Sequence, residues 1–243
     1  MDLQSAWAVA AKDFKIFKRK SQLIYITIVF PLAVGIALPL VLEFAMHRHG
    51  VTVSTIPRFM DAFSIWFLIG AAAFPTVIAS YSLVGEKIQK SLEPLLATPM
   101  TDSEILLGKT ISGLLIPLAS IYAGSVIYMS LMDSETRSTL GYLYYPNWHI
   151  GAILLVAPLI CLLSVELNII ISSRLSDVRT AQQAGMLAVF PFFGIYIASE
   201  IGLFTFNDTN LLILGGVILV IAVALFFISR VTFQREEILT KWK

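Results

Sequence analysis

Charge is scarce in this sequence: only 14% of its 243 residues are Asp, Glu, Lys or Arg, against about a quarter in an ordinary soluble domain. Seventeen basic and sixteen acidic residues leave a net charge of +1, so no global field exists to recruit nucleic acid or an acidic substrate. A single cysteine, Cys161, excludes an intramolecular disulfide and a cysteine-based metal site. It lies within an apolar run and reads as a small buried side chain. The three histidines, His47, His49 and His149, fall outside the apolar runs or at their outer edge, and no run holds a pair of aspartates. Intramembrane chemistry of the histidine-assisted or two-aspartate kind therefore lacks its parts. A short h-region with a cleavage site is missing too: the first apolar run is full length and follows a polar, basic stretch, which predicts no cleaved signal peptide.

What remains is apolar. Hydrophobic residues make up 57% of the chain, and its mean hydropathy is +0.82. A helix needs roughly 20 apolar residues to cross about 30 Å of hydrocarbon. Six stretches qualify: Leu23 to Ala45, Ala62 to Val84, Thr110 to Met132, Ile150 to Ser173, Gly185 to Phe206, and Asn210 to Ser229. The fold class is an all-α integral membrane protein of six transmembrane helices, organised as one membrane domain over 1–243. It divides into an interfacial helix (1–21), a six-span bundle (22–230) carrying a polar loop (85–109), and a tail (231–243).

Basic residues in short loops mark the cytoplasmic side. One side holds Lys12, Lys15, Lys18, Arg19, Lys20, Lys87, Lys90, Lys109, Arg174, Arg179, Arg230, Arg235, Lys241 and Lys243; the other holds Arg48, Arg58 and Arg137. This bias predicts that both termini and the 85–109 loop are cytoplasmic. Between Ala6 and Lys20, Trp7, Ala10, Ala11, Phe14 and Phe17 share one side of a helix with lysines on the others, the pattern of an amphipathic helix at a membrane surface.

Prolines fall within five of the six spans, at Pro31, Pro39, Pro75, Pro117, Pro158 and Pro191, where neighbouring helices must satisfy the carbonyls they free. Almost no chain separates the last two spans, so Asn207, Asp208 and Thr209 are read as a cap on the sixth, and the outer end of the fifth as bent or re-entrant. No internal repeat is evident, so the inverted-repeat signature of many secondary transporters is missing.

The loop from Gly85 to Glu104 is more organised than a connector. Ile88, Leu92, Leu95 and Leu96 recur at helical spacing, leaving Glu86, Lys87, Gln89, Lys90 and Glu93 to water or a partner. Pro94 disfavours helix at Glu93, predicting two short helical pieces. Thr101 and Glu104 form a capping box that starts the helix leading into the third span. A rigid lever and a solvated loop packed on its own bundle both fit this periodicity. Gly108-Lys109-Thr110 mimics the tail of a phosphate-binding loop, but that motif needs a glycine at position 103, which is Ser.

The succession Glu86, Ser91-Leu92-Glu93, Leu95-Leu96, Thr98-Pro99, Ile105 and Gly108-Lys109 resembles the cytoplasmic loop of ABC type-2 transporter permeases. The resemblance implies a permease subunit of an ATP-driven exporter in the cell membrane, built as a dimer of six-span halves from a second copy of this chain or a related permease. It implies that Glu86, Ser91, Leu92, Glu93, Leu95, Leu96 and Pro99 meet a separate ATP-binding subunit. That partner would hold ATP and Mg, leaving no cofactor and no catalytic role on this chain. It also implies that the second and fifth spans line the path, bringing Trp66, Phe67, Phe190, Phe193 and Tyr196 to it.

Three acidic residues lie within the spans: Glu43, Glu166 and Glu200. A charge there costs several kcal/mol on insertion scales unless it faces protein or water. Glu166, about 10 Å from the inner end of its span at about 1.5 Å per residue, has Ser164 and Asn168 as neighbours, with Arg174 and Arg179 within reach. An interhelical hydrogen bond or ion pair, a coupling group, and a cation or substrate ligand all remain open for it. Glu43 and Glu200 lie nearer the outer interface and could line an exit path. A secondary carrier or channel using Glu166 is the alternative function.

Overall fold

The structure is a computed structural model that describes residues 2–49, 56–91, 94–95, 98–140 and 147–232, and among these residues every regular element is a helix. Six of the helices are long and apolar enough to cross a membrane: Ser21–Ala45, Ala62–Ile88, Asp102–Ser134, His149–Arg174, Val178–Glu200 and Asp208–Val231. The second and fourth spans are the most enclosed, and they pack chiefly on each other. The first span lies against the third and the sixth against the fourth. Leu212, Ile213, Val217 and Val220 of the sixth span point outward, as expected where hydrocarbon rather than water is the solvent.

The fifth span departs from its expected bounds. It begins at Val178 rather than Gly185 because Asp177 caps a helix, Val178–Gly185, in the stretch read as a polar loop. Its Oδ2 accepts from the Thr180 backbone N–H at 2.9 Å and from Thr180 Oγ1 at 2.8 Å. That backbone hydrogen bond, the largest influence, holds the exposed Asp177 carboxyl below the usual carboxylate range. The cap is therefore present at neutral pH and is lost as pH falls through the lowered value. A 3-10 turn, Met186–Val189, interrupts it mid-span, and its helix ends at Glu200, so the outer end of the expected span, 201–206, is bent as read. After Glu200 the chain reverses through Gly202, whose φ of 79° favours glycine. Asn207 then caps the sixth span, with Oδ1 accepting from the Asn210 N–H at 2.8 Å, as its side chain predicts.

Three prolines explain three irregular turns. Pro31, Pro158 and Pro191 each stand second in an α-helical segment that follows a π turn (Tyr25–Val29, Ala152–Val156) or the 3-10 turn. A proline donates no hydrogen bond to the carbonyl four residues back, so the turn before it loosens or tightens. For Pro31 that carbonyl belongs to Thr27, and Ser120 Oγ of the third span donates to it at 2.8 Å. The first and third spans can meet this closely because both present glycine. A Cβ on Gly35 would lie 2.5 Å from the Gly124 carbonyl oxygen, the small-residue contact that lets membrane helices approach backbone to backbone.

The N-terminal helix, Leu3–Lys18, buries Ala6, Val9, Ala10, Asp13 and Phe17, chiefly against the third-span helix. Gly108 makes room there: a Cβ would lie 2.6 Å from the Ala6 carbonyl oxygen. Its bound face thus differs from the apolar side expected. Trp7 and Phe14, in edge-on contact at 6.2 Å, lie on a flank, and an aspartate lies at the centre of the contact.

Candidate functional site

Three elements converge at the base of the 85–109 loop on a buried group of charges. Lys109, two turns into the third-span helix, donates to Glu86 Oε2 at 2.8 Å, to the Ser82 carbonyl at 3.0 Å and to Ser82 Oγ at 3.2 Å, with Asp13 Oδ2 at 3.7 Å. Lys12 closes the group from the N-terminal helix, 2.6 Å from Glu86 Oε1. Ser82 and Ser112 hydroxyls both donate to Asp13 Oδ2, at 2.6 and 3.0 Å. The Asp13, Glu86 and Lys109 side chains are at most 4% exposed. Two carboxylates and two ammonium groups balance here, the condition under which charges persist away from water.

This corrects the reading of Glu86 and Lys87 as residues turned to water or a partner: each is 3% exposed. The Lys87 ammonium donates to the carbonyls of Ser172, Ser173 and Leu175 at 2.6 to 3.1 Å, satisfying the end of the fourth-span helix where carbonyls lack intrahelical donors. The Glu104 carboxylate accepts from the Thr101 N–H at 2.9 Å, and the Glu104 N–H donates to Thr101 Oγ1 at 3.4 Å, completing the expected capping box. Its other oxygen accepts from the Asp2 N–H at 2.7 Å, tying the start of the N-terminal helix to the same box. Thr101→Ala should cost about 1 kcal/mol, the usual worth of an N-cap hydroxyl, read as a lower melting temperature of the purified chain.

The loop residues divide by exposure. Leu95 is buried with Val9, Leu83, Ile105, Leu106 and Ile169; Ser91 is half-buried, and Pro94 and Pro99 are exposed. Leu92, Glu93 and Leu96 lie outside the described residues. The apolar stripe does not form one face, since Ile88 is 57% exposed while Leu95 is 6%. The second-span helix ends at Ile88, and Lys90 adopts a left-handed φ of 53° that turns the chain before Leu95 can continue that face.

Glu166 finds its partners on other spans, not among Ser164, Asn168, Arg174 or Arg179. Thr110 Oγ1 of the third span donates to one carboxyl oxygen at 2.6 Å and Ser229 Oγ of the sixth to the other at 2.9 Å. Asn168 instead accepts from Ser80 Oγ at 2.8 Å and donates to the Ala181 carbonyl at 3.4 Å. Among the described residues no group of three or more His, Cys, Asp or Glu could hold a metal. Glu166→Gln keeps an acceptor and adds donors, so it should melt close to the parent. Glu166→Ala removes both interhelical bonds and leaves a cavity, and should lower stability by about 2 kcal/mol. Equal melting of the two variants would remove the structural role.

Of the aromatic path candidates, Trp66 and Phe193 meet edge-on at 6.3 Å and line an apolar groove of about 280 Å³ with Phe30, Phe67 and Phe74. Phe67 is 2% exposed and also packs on Tyr128 and His149. Phe190 is 67% exposed, and Tyr196 packs against the main core. Glu43 is half-buried and Glu200 is exposed at a helix end. Sequence reading missed the enclosure of His149. It is fully buried, with Nε2 3.1 Å from Ser125 Oγ, and only its position at the start of an apolar run hinted at this.

The family described as ABC-2 family transporter protein matches residues 7–211. No curated protein matches the chain.

Proposed function

The chain belongs to the ABC-2 transporter family as a multi-pass membrane permease, and from that premise we propose that it forms half of an ATP-driven exporter. In this reading a second copy or a related permease completes the path in the cell membrane. The 85–109 loop faces the cytoplasm with both termini, and a separate subunit binds ATP and Mg. The family's permeases are the membrane component of transport and are not themselves catalytic.

The observation that carries the coupling role is the buried Lys109 group. Closing of the ATP-binding subunits presses on the exposed part of the loop at Pro94 and Pro99, with Ser91, Leu92, Glu93 and Leu96 contributing. Glu86 cannot yield independently, because Lys109 and Lys12 hold it to the third span and the N-terminal helix. Leu95 adds a packed contact below. The push therefore moves the N-terminal helix and the second and third spans as a unit, shifting Trp66 against Phe193 on the fifth.

The test is capture of an ATP-binding subunit by the tagged chain from native membranes in mild detergent. Pro99→Asp is expected to lower capture and ATP turnover while leaving the melting temperature unchanged. Unaltered capture and turnover would count against the loop as the contact.

A further inference from the structure

A second groove, of about 520 Å³, opens where the N-terminal helix meets the first and third spans. Phe14, Ile28, Leu32, Leu115 and Ala119 line it. Its one polar residue, Ser120, directs its hydroxyl to the Thr27 and Pro117 carbonyls at 2.8 Å each, so the groove offers an occupant no hydrogen bond. Leu32 stands eleven residues past Ser21, where the first span begins, which at about 1.5 Å per residue carries the groove about 16 Å along the span. Such a channel suits a single hydrocarbon chain.

The end of the N-terminal helix that follows the lining residue Phe14 is basic. Lys15, Lys18 and Arg19 are exposed, and among the described residues none of them has an acidic partner. Lys12 and Lys20 are already engaged, the first by Glu86 and the second over the Tyr81 ring at 5.9 Å. Lys18 lies one turn beyond Phe14 on the same helical stripe, with Lys15 one turn before Lys18, so both ammonium groups can reach the open end of the groove. An apolar channel running along a span and two unpaired cations within reach of its open end match the two halves of one molecule.

The geometry points to a seat for an anionic phospholipid, with one acyl chain in the groove and the phosphate at Lys15 and Lys18. The lipid extends the contact between the N-terminal helix and the bundle, so it acts as part of the helix's anchorage. This assignment needs only that the N-terminal helix lies at a membrane face, and it stands apart from the exporter reading.

The purified full chain would be stripped of lipid by mild detergent exchange. It would then be titrated with phosphatidylglycerol or phosphatidylcholine of identical acyl chains, and retained lipid counted by native mass spectrometry. Two lysine contacts near a surface predict retention of phosphatidylglycerol favoured roughly thirtyfold. Lys15→Gln with Lys18→Gln should abolish that preference without changing phosphatidylcholine retention. Ala119→Trp, at an exposed position on the groove wall, should lower retention of both lipids. Melting temperatures matching the parent would establish that the variants are folded. A variant that does not fold would be replaced by Ala119→Leu or the single lysine changes and judged by the same counts. Equal retention of the two lipids, a preference that survives the lysine changes, or displacement by inorganic phosphate alone would overturn the proposal. So would a lipid-free dimer that Ala119→Trp dissociates, since a second copy would then be the occupant.

Discussion

Lys109→Met is expected to produce the largest loss of stability of any single change at the loop base, on the order of 3–5 kcal/mol, the usual result of removing one partner from a buried ion pair. Met approximates the volume and length of the lysine stem, so the loss comes from what stays behind. Asp13 and Glu86 would remain buried with one ammonium, that of Lys12, whose side chain is 36% exposed. Asp13 would keep the Ser82 and Ser112 hydroxyls but lose its nearby cation. The variant should melt well below the parent, and proteolysis should release the N-terminal helix first. Adding Asp13→Asn to Lys109→Met removes an uncompensated anion, so the pair of changes should cost less than the sum of its parts, the signature of coupled sites. If Lys109→Met melted with the parent, the group would not be the joint between loop and bundle, and the coupling route through it would fall with it.

That joint was not legible in the sequence, and the reason is physical. Periodicity reports which residues share a face of their own helix, and by that measure Glu86 and Lys87 occupy a polar face. Their burial depends on elements distant in sequence: Lys12 and Asp13 from the N-terminal helix, Ser172 and Ser173 from the end of the fourth span. A usable signal was present, since Glu86 and Lys109 each stand at the edge of an apolar run with serines nearby, where a charge needs a partner.

Features set by local chemistry were read from the chain directly. The six spans follow from length and hydropathy, the Thr101–Glu104 box and the Asn207 cap from side chains that can reach their own backbone. The fifth span sits between these cases. Its apolar content alone placed its start at Gly185, whereas the cap at Asp177 starts the helix earlier and a 3-10 turn interrupts it before Pro191; the bend expected at its outer end is present after Glu200. Glu166 likewise is hydrogen-bonded between spans, but by hydroxyls of the third and sixth spans that no local pattern could nominate.

Gly124→Leu is the second change expected to act strongly, because its obstacle is backbone. A Cβ on Gly124 would lie 2.6 Å from the Pro31 carbonyl oxygen, with the Phe67 ring edge at 3.2 Å. A flexible side chain could turn away, but a carbonyl held in a helix cannot, so the first and third spans must part. Parting them also strains the bond from Ser120 to the Thr27 carbonyl, one turn away on the same contact, and leaves that carbonyl without the donor that Pro31 denies it. Overpacking a well-fitted contact costs typically about 1–3 kcal/mol, and a rigid obstacle belongs at the upper end or beyond. Gly216 supplies the control, since a Cβ there meets nothing within 4 Å. Gly216→Leu adds the same bulk on an open face of the sixth span and replaces a poor helix former, so it should melt at or slightly above the parent. The two variants, purified together and compared by melting temperature and far-ultraviolet circular dichroism, separate added volume from lost fit. A similar drop in both would mean that the first and third spans are not held at the glycine contact.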